Sequence, residues 1–200
     1  MNIPENQTGH EYCQEHGLRI LAGDAFKYFW NNLADIPGNY LEIGVFEGYM
    51  LRALADRFPD RMFYGIDPFI EDGNTTGHND GVQKGETTWK QMAQAHSNLD
   101  HVRNVTLFQQ RSRDWAALIP YENLHAMQIG LVFVDGDHSY EEALNDMTIG
   151  AQALSRGGVM YVDDITLPSV AKAAAEFVEM EHERLINYEF GQPVMHLRQL

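Results

Sequence analysis

A glycine turn between an apolar run and an amphipathic run constrains the fold of this 200-residue chain more than any other feature. The apolar run, Tyr40–Ile43, predicts a buried strand, and Met50–Phe58 predicts a helix. Gly44 and Gly48 lie between them, and glycine has no Cβ to keep a ligand away from the main chain. Because a helix N-terminus presents backbone N–H groups, this stretch predicts a cofactor site.

The spacing of the turn and a later acid narrow the kind of cofactor. Glu42, Gly44 and Gly48 form the pattern Glu-x-Gly-x-x-x-Gly, which differs from the Gly-x-Gly-x-x-Gly pattern of dinucleotide enzymes. The next predicted strand, residues 62–67, ends in Asp67, 19 residues after Gly48. An acid at that position of a strand–helix–strand unit accepts hydrogen bonds from ribose hydroxyls. All four residues are therefore candidate cofactor-binding residues.

Strand and helix patterns alternate along the rest of the chain, which predicts an α/β fold. The later predicted strands are Val105–Gln109, Gln128–Asp135 and Val159–Asp164. Three predicted helices are Leu18–Leu33, Glu86–Ser97 and Asp114–Leu118. A fourth begins at Ser139 and stops at a glycine C-cap in Leu154–Gly158, and a fifth begins at Pro168. Two last segments, Leu185–Phe190 and Val194–Leu200, predict a closing hairpin.

Three further acids follow two of these strands. Asp135 ends the fourth strand, and Asp163 and Asp164 end the fifth. Ligands bind at the carboxyl ends of the strands in an open parallel sheet, and converging carboxylates repel one another unless a cation neutralises them. Oxygen ligands favour Mg²⁺, Ca²⁺ or Mn²⁺ over zinc. Any one acid alone is better explained as a solvated turn residue, but the three together predict a divalent cation site.

The turn after the fourth strand carries two more candidates. Asp137 and His138 follow Asp135, and Ser139 with Glu142 predicts a capping box at the start of the next helix. An imidazole titrates near neutral pH and can act as a general base. We expect His138 to be the base and Asp137 to orient it or the substrate, although the sequence does not decide between them.

These motifs resemble the class I S-adenosylmethionine-dependent methyltransferases over residues 40–200. The later acids narrow the resemblance to metal-dependent small-molecule O-methyltransferases, and Asp-Gly-Asp followed by Gly-Gly-x-x-x-x-Asp-Asp is most similar to the macrolide and aminocoumarin sugar enzymes. The resemblance implies a Rossmann-like, mostly parallel sheet with an antiparallel C-terminal strand and helices on both faces. It also implies S-adenosylmethionine and Mg²⁺, or another divalent cation, as cofactors.

The resemblance assigns roles to particular residues. Relatives hold the metal with an acid after the fourth strand and a pair after the fifth, which correspond to Asp135 and to Asp163 with Asp164. Their base lies two or three residues past the first metal acid, at Asp137 or His138. Ser112 corresponds to a residue near the adenine, although a serine there could equally cap the short helix that follows. The implied substrate is a hydroxyl of a sugar, polyketide or phenol.

Composition excludes some other functions. The 29 acids against 14 bases give a net charge of −15, which argues against a nucleic-acid partner. A single cysteine excludes an internal disulfide framework, and no apolar run is long enough to cross a bilayer. The N-terminus lacks the basic and apolar regions of a signal peptide, so we expect a cytoplasmic protein without a membrane partner. The sequence leaves open whether it is a homo-oligomer.

The length predicts one domain over residues 1–200, with an N-terminal helical cap at 1–39 and a cofactor-binding core at 40–200. His10, Cys13 and His16 fit no common zinc spacing, so we interpret them as unrelated surface residues. The apolar stripe of the first helix is expected to pack on the sheet edge, and it could also cap the substrate pocket. The glycine-rich segment 68–88 is either a lid or a simple insertion.

Two alternatives remain beside the methyltransferase. A non-haem iron hydroxylase of the cephalosporin hydroxylase type would need two histidines, and only His138 lies near the acids in the sequence. A non-catalytic cofactor-binding domain would keep the glycine turn without needing all the acids. A nicotinamide dehydrogenase is disfavoured because the third glycine of its turn is missing.

Overall fold

The computed structural model describes residues 3–4, 6–18, 24–69, 87–181, 185–190 and 195–199. The helices are α1 (Gly9–Glu15), α2 (Asp24–Asn32), α3 (Tyr49–Arg57), α4 (Thr87–Leu99), α5 (Ser112–Leu118), α6 (Tyr121–Ala126), α7 (Tyr140–Ala153) and α8 (Pro168–Glu181). The strands are β1 (Asn39–Ile43), β2 (Phe63–Ile66), β3 (Val105–Phe108), β4 (Ile129–Val134), β5 (Leu154–Val162), β6 (Leu185–Phe190) and β7 (Met195–Gln199). A short 3₁₀ helix, Leu33–Asp35, follows α2.

The strands form one seven-stranded sheet in the order β3-β2-β1-β4-β5-β7-β6. The five strands from β3 to β5 are parallel to their neighbours, as the alternating pattern predicted. The last two strands pair antiparallel with each other, and β7 lies antiparallel to β5 with Val162 opposite Met195. Helical crossovers bury both faces of the parallel part, which explains why β4 is apolar and buried throughout.

The order of the strands reverses between β1 and β4. Successive strands progress outward from β1 through β2 to β3, and the chain then returns to β4 on the other side of β1. The loops after β1 and β4 therefore leave the same edge of the sheet as neighbours, and the loop after β5 lies beside them. A crevice at such a switch point is the usual ligand site of an open α/β sheet.

The N-terminal stripe packs over the middle of the sheet and not at its edge, which corrects our expectation. Phe26, Phe29, Trp30 and Leu33 are all buried, as predicted. The Phe29 ring contacts the rings of Tyr40, Phe133 and Tyr161, which belong to β1, β4 and β5. Aromatic contacts of this kind add to the burial of apolar area. The described part of the helix begins at Asp24, and Leu18 lies outside regular structure.

The helix α1 was not predicted. Thr8 and Glu11 form a capping box, in which the Thr8 hydroxyl accepts the Glu11 N–H and the Glu11 carboxylate accepts the Thr8 N–H. Tyr12 and Cys13 are buried against α2 and α3. The interpretation of Cys13 as a surface residue is therefore wrong.

Three local predictions also need correction. Ser139 is the N-cap of α7, but its side chain makes no capping hydrogen bond. The same helix ends at Ala153 with Leu154 already extended, so Gly157 and Gly158 lie within β5 and are not a C-cap. Helical spacing predicts that Trp89, Met92 and Ala93 share one face of α4, but among its described side chains the buried ones are Ala95, Asn98 and Leu99, and Trp89 is exposed.

No helix among the described residues combines the length and apolar character needed to cross a bilayer. Most of the segment 68–88, which the sequence suggested as a lid or an insertion, lies outside the described residues.

Candidate active site

The glycine turn, residues 44–48, connects β1 to α3 and is tightly packed. Gly44 has φ of +93°, and a Cβ there would lie 2.0 Å from the carbonyl oxygen of Asp135. Gly48 is the N-cap of α3 in the left-handed conformation, with no side-chain hydrogen bond to the first turn. The amide of Asn98, from α4, donates to the carbonyl of Glu47 at 2.7 Å. The glycines are thus required by the turn itself, and the first N–H groups of α3 receive no side-chain cap.

Asp67 directly follows β2, and its side chain stabilises the glycine turn through hydrogen bonds. One carboxylate oxygen accepts the backbone N–H groups of Val45 and Phe46, each at 2.9 Å, and the other accepts the N–H of Phe69 at 2.7 Å. Burial raises the pKa of the Asp67 carboxyl, and the three backbone hydrogen bonds oppose that rise. The structure therefore brings Asp67 to the glycine turn, and its carboxylate can still accept a further hydrogen bond.

Glu42 lies inside β1 and is 3% exposed. The Tyr40 hydroxyl donates to its carboxylate at 3.0 Å. Burial raises the pKa of Glu42 well above its ordinary value, and the charges of Asp135 and Asp67 act in the same direction. Glu42 is thus a buried acid behind both loops that the sequence singled out.

The acid turn, residues 135–139, connects β4 to α7 and approaches the end of β5. Potential ligand atoms of Asp135, His138 and Asp164 all lie within 4.8 Å of one another; we call these three residues the acid–histidine cluster. The Nε2 atom of His138 lies 3.0 Å from an oxygen of Asp164 and 3.8 Å from an oxygen of Asp135. The cluster offers two oxygens and one nitrogen to a bound ion.

The pKa of His138 is raised above its ordinary value. A hydrogen bond with Asp135 is the main cause, and the charges of Asp164, Asp135 and Asp137 contribute further. Partial burial opposes the rise. The neighbouring acids thus favour the protonated imidazole of His138 over the neutral one.

Asp163 lies beside the cluster. Its carboxylate accepts the backbone N–H of Asp164 at 2.8 Å. Burial and the charges of Asp135 and Asp164 raise its pKa to about 6, while that same N–H and His138 oppose the rise. Asp163 is close enough to sense the other acids, but it does not share their 4.8 Å group of ligand atoms.

Asp137 is oriented by its own turn. Its carboxylate accepts the backbone N–H of Ser139 at 2.7 Å, which closes the turn at the start of α7. The sequence predicted a capping box of Ser139 with Glu142 at this helix start. In the structure, the hydrogen bond from the Ser139 N–H to Asp137 occurs there instead. Of the two candidates for the base, the structure gathers His138 with Asp135 and Asp164.

Non-glycine residues with positive φ occur at the ends of three strands around this edge. Phe46 has φ of +53°, Phe69 of +48° and Asp164 of +52°, following β1, β2 and β5 respectively. Left-handed conformations are unfavourable for such residues and persist where the surrounding structure imposes them. Their position supports a functional role for this edge of the sheet.

A buried network beneath the acid turn was not predicted. Ser112, the first residue of α5, donates its hydroxyl hydrogen to the carboxylate of Asp146 in α7, and the Asn145 amide donates to Ser112 at 3.3 Å. The N-cap of α5 is Arg111, so the suggestion that Ser112 caps this helix is wrong. A Cβ at Gly136 would lie 2.6 Å from an Asp146 oxygen.

Asp146 is 4% exposed, and burial raises its pKa to about 7. The charge of Asp137 contributes to the rise, and the Ser112 hydroxyl opposes it. A sequence signal was present, because Asp146 falls at helical spacing among Ala143, Met147 and Gly150, which are buried. An acid within an apolar stripe indicates a buried polar contact.

Comparison with known proteins assigns this arrangement to a family. A family profile described as "Methyltransferase domain" matches residues 41–165, which is more than half of the chain and contains both turns. A curated relative, the uncharacterized protein R132 of Acanthamoeba polyphaga mimivirus, is 25% identical over 145 residues. That match covers 68% of this chain and 59% of the relative, so the chain spans less than two thirds of the relative's length.

Solved structures share the fold at low sequence identity. The O-methyltransferase TomG from Streptomyces achromogenes, in complex with SAM, is 19% identical with a TM-score of 0.61, covering 96% of this chain and 87% of TomG. MycE methyltransferase of the mycinamycin biosynthetic pathway, in complex with Mg, SAH and mycinamycin VI, is 12% identical with a TM-score of 0.61. That match covers 98% of this chain and 54% of MycE.

Proposed function

Because the chain belongs to this methyltransferase-domain family, we propose that it transfers the methyl group of S-adenosylmethionine to a hydroxyl oxygen of a small molecule, with a divalent cation at the acid–histidine cluster. One observation carries the proposal: the glycine turn and the acid turn touch, since Gly44 packs directly against the Asp135 carbonyl. Methyl transfer requires the donor and the acceptor oxygen to be held side by side and in line.

The glycine turn suits the proposed methyl donor. The uncapped N-terminus of α3 can receive a carboxylate group of the ligand, such as that of its methionine part. Asp67 keeps an acceptor for a ribose hydroxyl while its other contacts hold the turn. We keep Glu42 and Ser112 as proposed cofactor-site residues, acting from behind the pocket, because both side chains are buried and hydrogen-bonded within the protein.

The cluster suits a divalent cation. Asp135 and Asp164 supply oxygen ligands, and Asp163, whose pKa is raised by burial and by the charges of these two acids, is the third proposed ligand. The donor set is of the kind taken by Mg²⁺ or Mn²⁺. When bound, the cation would lower the pKa of a hydroxyl group and stabilise the alkoxide. The Mg-bound MycE complex supports this assignment by similarity of fold.

We propose His138 as the general base. A cation between the acids would offset the charges that raise the pKa of His138, and the imidazole could then accept the substrate proton. Asp137 is fastened by the Ser139 N–H, and its second oxygen can orient the substrate hydroxyl. Replacement of either residue by Ala is expected to lower kcat by about 10²-fold or more.

The acceptor class is proposed from the resemblance to sugar and macrolide enzymes. MycE was solved with mycinamycin VI and TomG belongs to tomaymycin synthesis, so a hydroxyl on a secondary metabolite or its sugar is the first choice. Among the described residues the cluster holds one histidine, which disfavours the iron hydroxylase alternative. The gathering of the acids with His138 disfavours a purely cofactor-binding domain.

Calorimetry and a release assay test the proposal. S-Adenosylmethionine and its demethylated product should bind, and Mg²⁺ should stimulate formation of that product with one member of a panel containing a nucleotide-linked deoxysugar, a macrolide glycoside and a catechol. Asp135→Asn and Asp164→Asn should bind the methyl donor normally and lose the response to Mg²⁺. Asp60→Asn, an exposed acid remote in sequence from both turns, is the matched control.

Two outcomes would contradict the proposal. Binding of NAD in place of the methyl donor would remove the cofactor assignment. Full turnover in excess chelator would remove the cation. Gly44→Val is unsuitable as a cofactor-site variant, because its side chain would collide with the Asp135 backbone and disturb the fold itself.

A further inference from the structure

Besides the contact between His138 and Asp164, a hydrogen bond joins the two loops that carry the acid–histidine cluster. The hydroxyl of Ser169, the second residue of α8, donates to the backbone carbonyl of His138 at 2.6 Å. Asp135 and His138 belong to the acid turn, whereas Asp164 belongs to the connection between β5 and α8. The cluster is therefore assembled from two separate loops, and this bond fastens one loop to the other.

Backbone hydrogen bonds also fix the connection between β5 and α8, which carries Asp164 and leads to Ser169. The backbone N–H of Asp163 donates to the Val134 carbonyl at 2.9 Å, which continues the pairing of β5 with β4. The N–H of Leu167 donates to the Asp164 carbonyl at 2.8 Å and closes the turn before α8. Because Ser169 follows Asp164 by only five residues through this hydrogen-bonded turn, its position is coupled to that of Asp164.

We propose that Ser169 is a positioning residue that sets the separation between the His138 side and the Asp164 side of the cluster. This inference rests on the proposed function, because its measurable consequence is the affinity of the cluster for a divalent cation. Residues that orient metal ligands through hydrogen bonds change metal affinity by about 10- to 100-fold when they are replaced. Ser169 acts on the cluster through the His138 backbone and has no chemical role of its own.

A hydrogen bond between α7 and α8, close to the Ser169 contact, provides a matched control. The hydroxyl of Tyr140, the first residue of α7, donates to the carboxylate of Glu176 in α8, and the ammonium group of Lys172 lies 4.2 Å from the centre of the Tyr140 ring. Tyr140→Phe removes one hydrogen bond between α7 and α8 and keeps the ring for Lys172. It leaves the His138 carbonyl and its hydrogen bond with Ser169 unchanged.

The test measures Mn²⁺ binding by electron paramagnetic resonance on the full chain. Ser169→Ala should raise the Kd for Mn²⁺ about tenfold, Ser169→Thr should restore it because the hydroxyl returns, and Tyr140→Phe should leave it within about twofold. Equal effects of Ser169→Ala and Tyr140→Phe would overturn the proposal, because they would indicate general loosening of the two helices. An unchanged Kd in Ser169→Ala would overturn it as well.

A metal-free measurement separates this inference from the proposed function. The imidazole NMR signals of His138 should shift in Ser169→Ala, return towards wild type in Ser169→Thr, and stay in place in Tyr140→Phe. If the wild-type protein binds no Mn²⁺, the cation part of the proposed function fails, and these signals alone decide the role of Ser169. Signals that coincide in wild type and Ser169→Ala would then overturn it.

Discussion

The glycine turn and the acid turn touch each other at one edge of the sheet, yet they are stabilised in opposite ways. Around the glycine turn, one carboxylate, Asp67, accepts three backbone N–H groups. Around the acid turn, the charges of Asp135 and Asp164 add to burial in raising the pKa of Asp163, and acids of the same turn raise the pKa of His138. The first turn is complete without a ligand, whereas the second would gain stability from added positive charge.

This difference distinguishes a loop whose polar groups are satisfied within the fold from a loop that we propose binds a cation. A loop whose polar groups are satisfied within the protein can present a rigid backbone to a ligand. Converging like charges in a loop destabilise the metal-free protein. A bound cation that neutralises them therefore stabilises the folded state. The following predictions compare the two loops, beginning with the largest effect.

Gly44→Ala should destabilise the protein by roughly 4 kcal/mol or more. Its Cβ would lie 2.0 Å from the Asp135 carbonyl oxygen, and φ of +93° adds backbone strain. Gly157→Ala is the control, because φ there is +78° but nothing lies within 4 Å of the added Cβ. It should cost about 1 kcal/mol. Urea denaturation of both variants checks the pair, and equal losses would show that the contact with Asp135 is unimportant.

Asp67→Ala and Asp135→Ala should separate the two loops in the metal-free protein. Asp67→Ala leaves three backbone N–H groups without their acceptor and should cost roughly 3 kcal/mol. Asp135→Ala removes both a charge that repels Asp163 and the hydrogen bond with His138, and because these effects oppose each other it should cost less than about 1 kcal/mol. Thermal unfolding with and without Mn²⁺ should rank the two variants in the opposite order. Stabilisation by the ion should persist in Asp67→Ala and disappear in Asp135→Ala.

The contrary result is equally clear. If Asp135→Ala destabilises the metal-free protein as much as Asp67→Ala does, the acid turn is held by its own contacts and carries no excess charge for a cation to relieve.

Asp146→Asn should alter the pH dependence of stability beneath the acid turn. The folded-state pKa of about 7 lies above the ordinary value of 3.8, so the folded protein retains a proton that the unfolded chain has released between these pH values. The stability that this group contributes is fully present below about pH 4 and is lost as the pH rises to about 7. That difference in pKa corresponds to roughly 4 kcal/mol.

We expect Asp146→Asn to raise the free energy of unfolding at pH 8 by about 2 kcal/mol, since the amide loses the charge but weakens the hydrogen bond with Ser112. The curve between pH 4 and 7 should become flatter. Asp100→Asn, which replaces an exposed acid, is the control and should leave the curve unchanged. A wild-type curve that already rises between pH 4 and 7 and that Asp146→Asn leaves unaltered would contradict the buried charge.

The sequence predicted the parts of the site that depend on local order along the chain. Alternating strands and helices placed Gly44, Asp67 and Asp135 at strand ends, and parallel pairing brings such ends to one edge. The family assignment follows from the same motifs. These features need only the element boundaries, which hydrophobic periodicity gives.

Contacts between elements distant in sequence could not be predicted in the same way. Ser112 and Asp146 are 34 residues apart, and Ser169 and His138 are 31 apart. Which side chain meets which depends on how α5 and α8 pack on α7, and helical spacing alone does not fix that packing. The position of Asp67 at the end of a strand was predicted, but its backbone donors follow from the folded turn.

The smallest expected effect on stability concerns the N-terminal caps of two helices, α7 and α1. Ser139 occupies the N-cap of α7 without a capping hydrogen bond, because Asp137 closes this turn by accepting the Ser139 N–H. Ser139→Ala should therefore change the free energy of unfolding by less than about 0.5 kcal/mol, whereas Thr8→Ala, which removes a formed capping box, should cost about 1 kcal/mol. Urea denaturation of the two variants at one pH checks the difference. A loss in Ser139→Ala as large as in Thr8→Ala would show that the hydroxyl, and not Asp137, holds the start of α7; the acid turn would then depend on its capping residue, as the sequence first indicated.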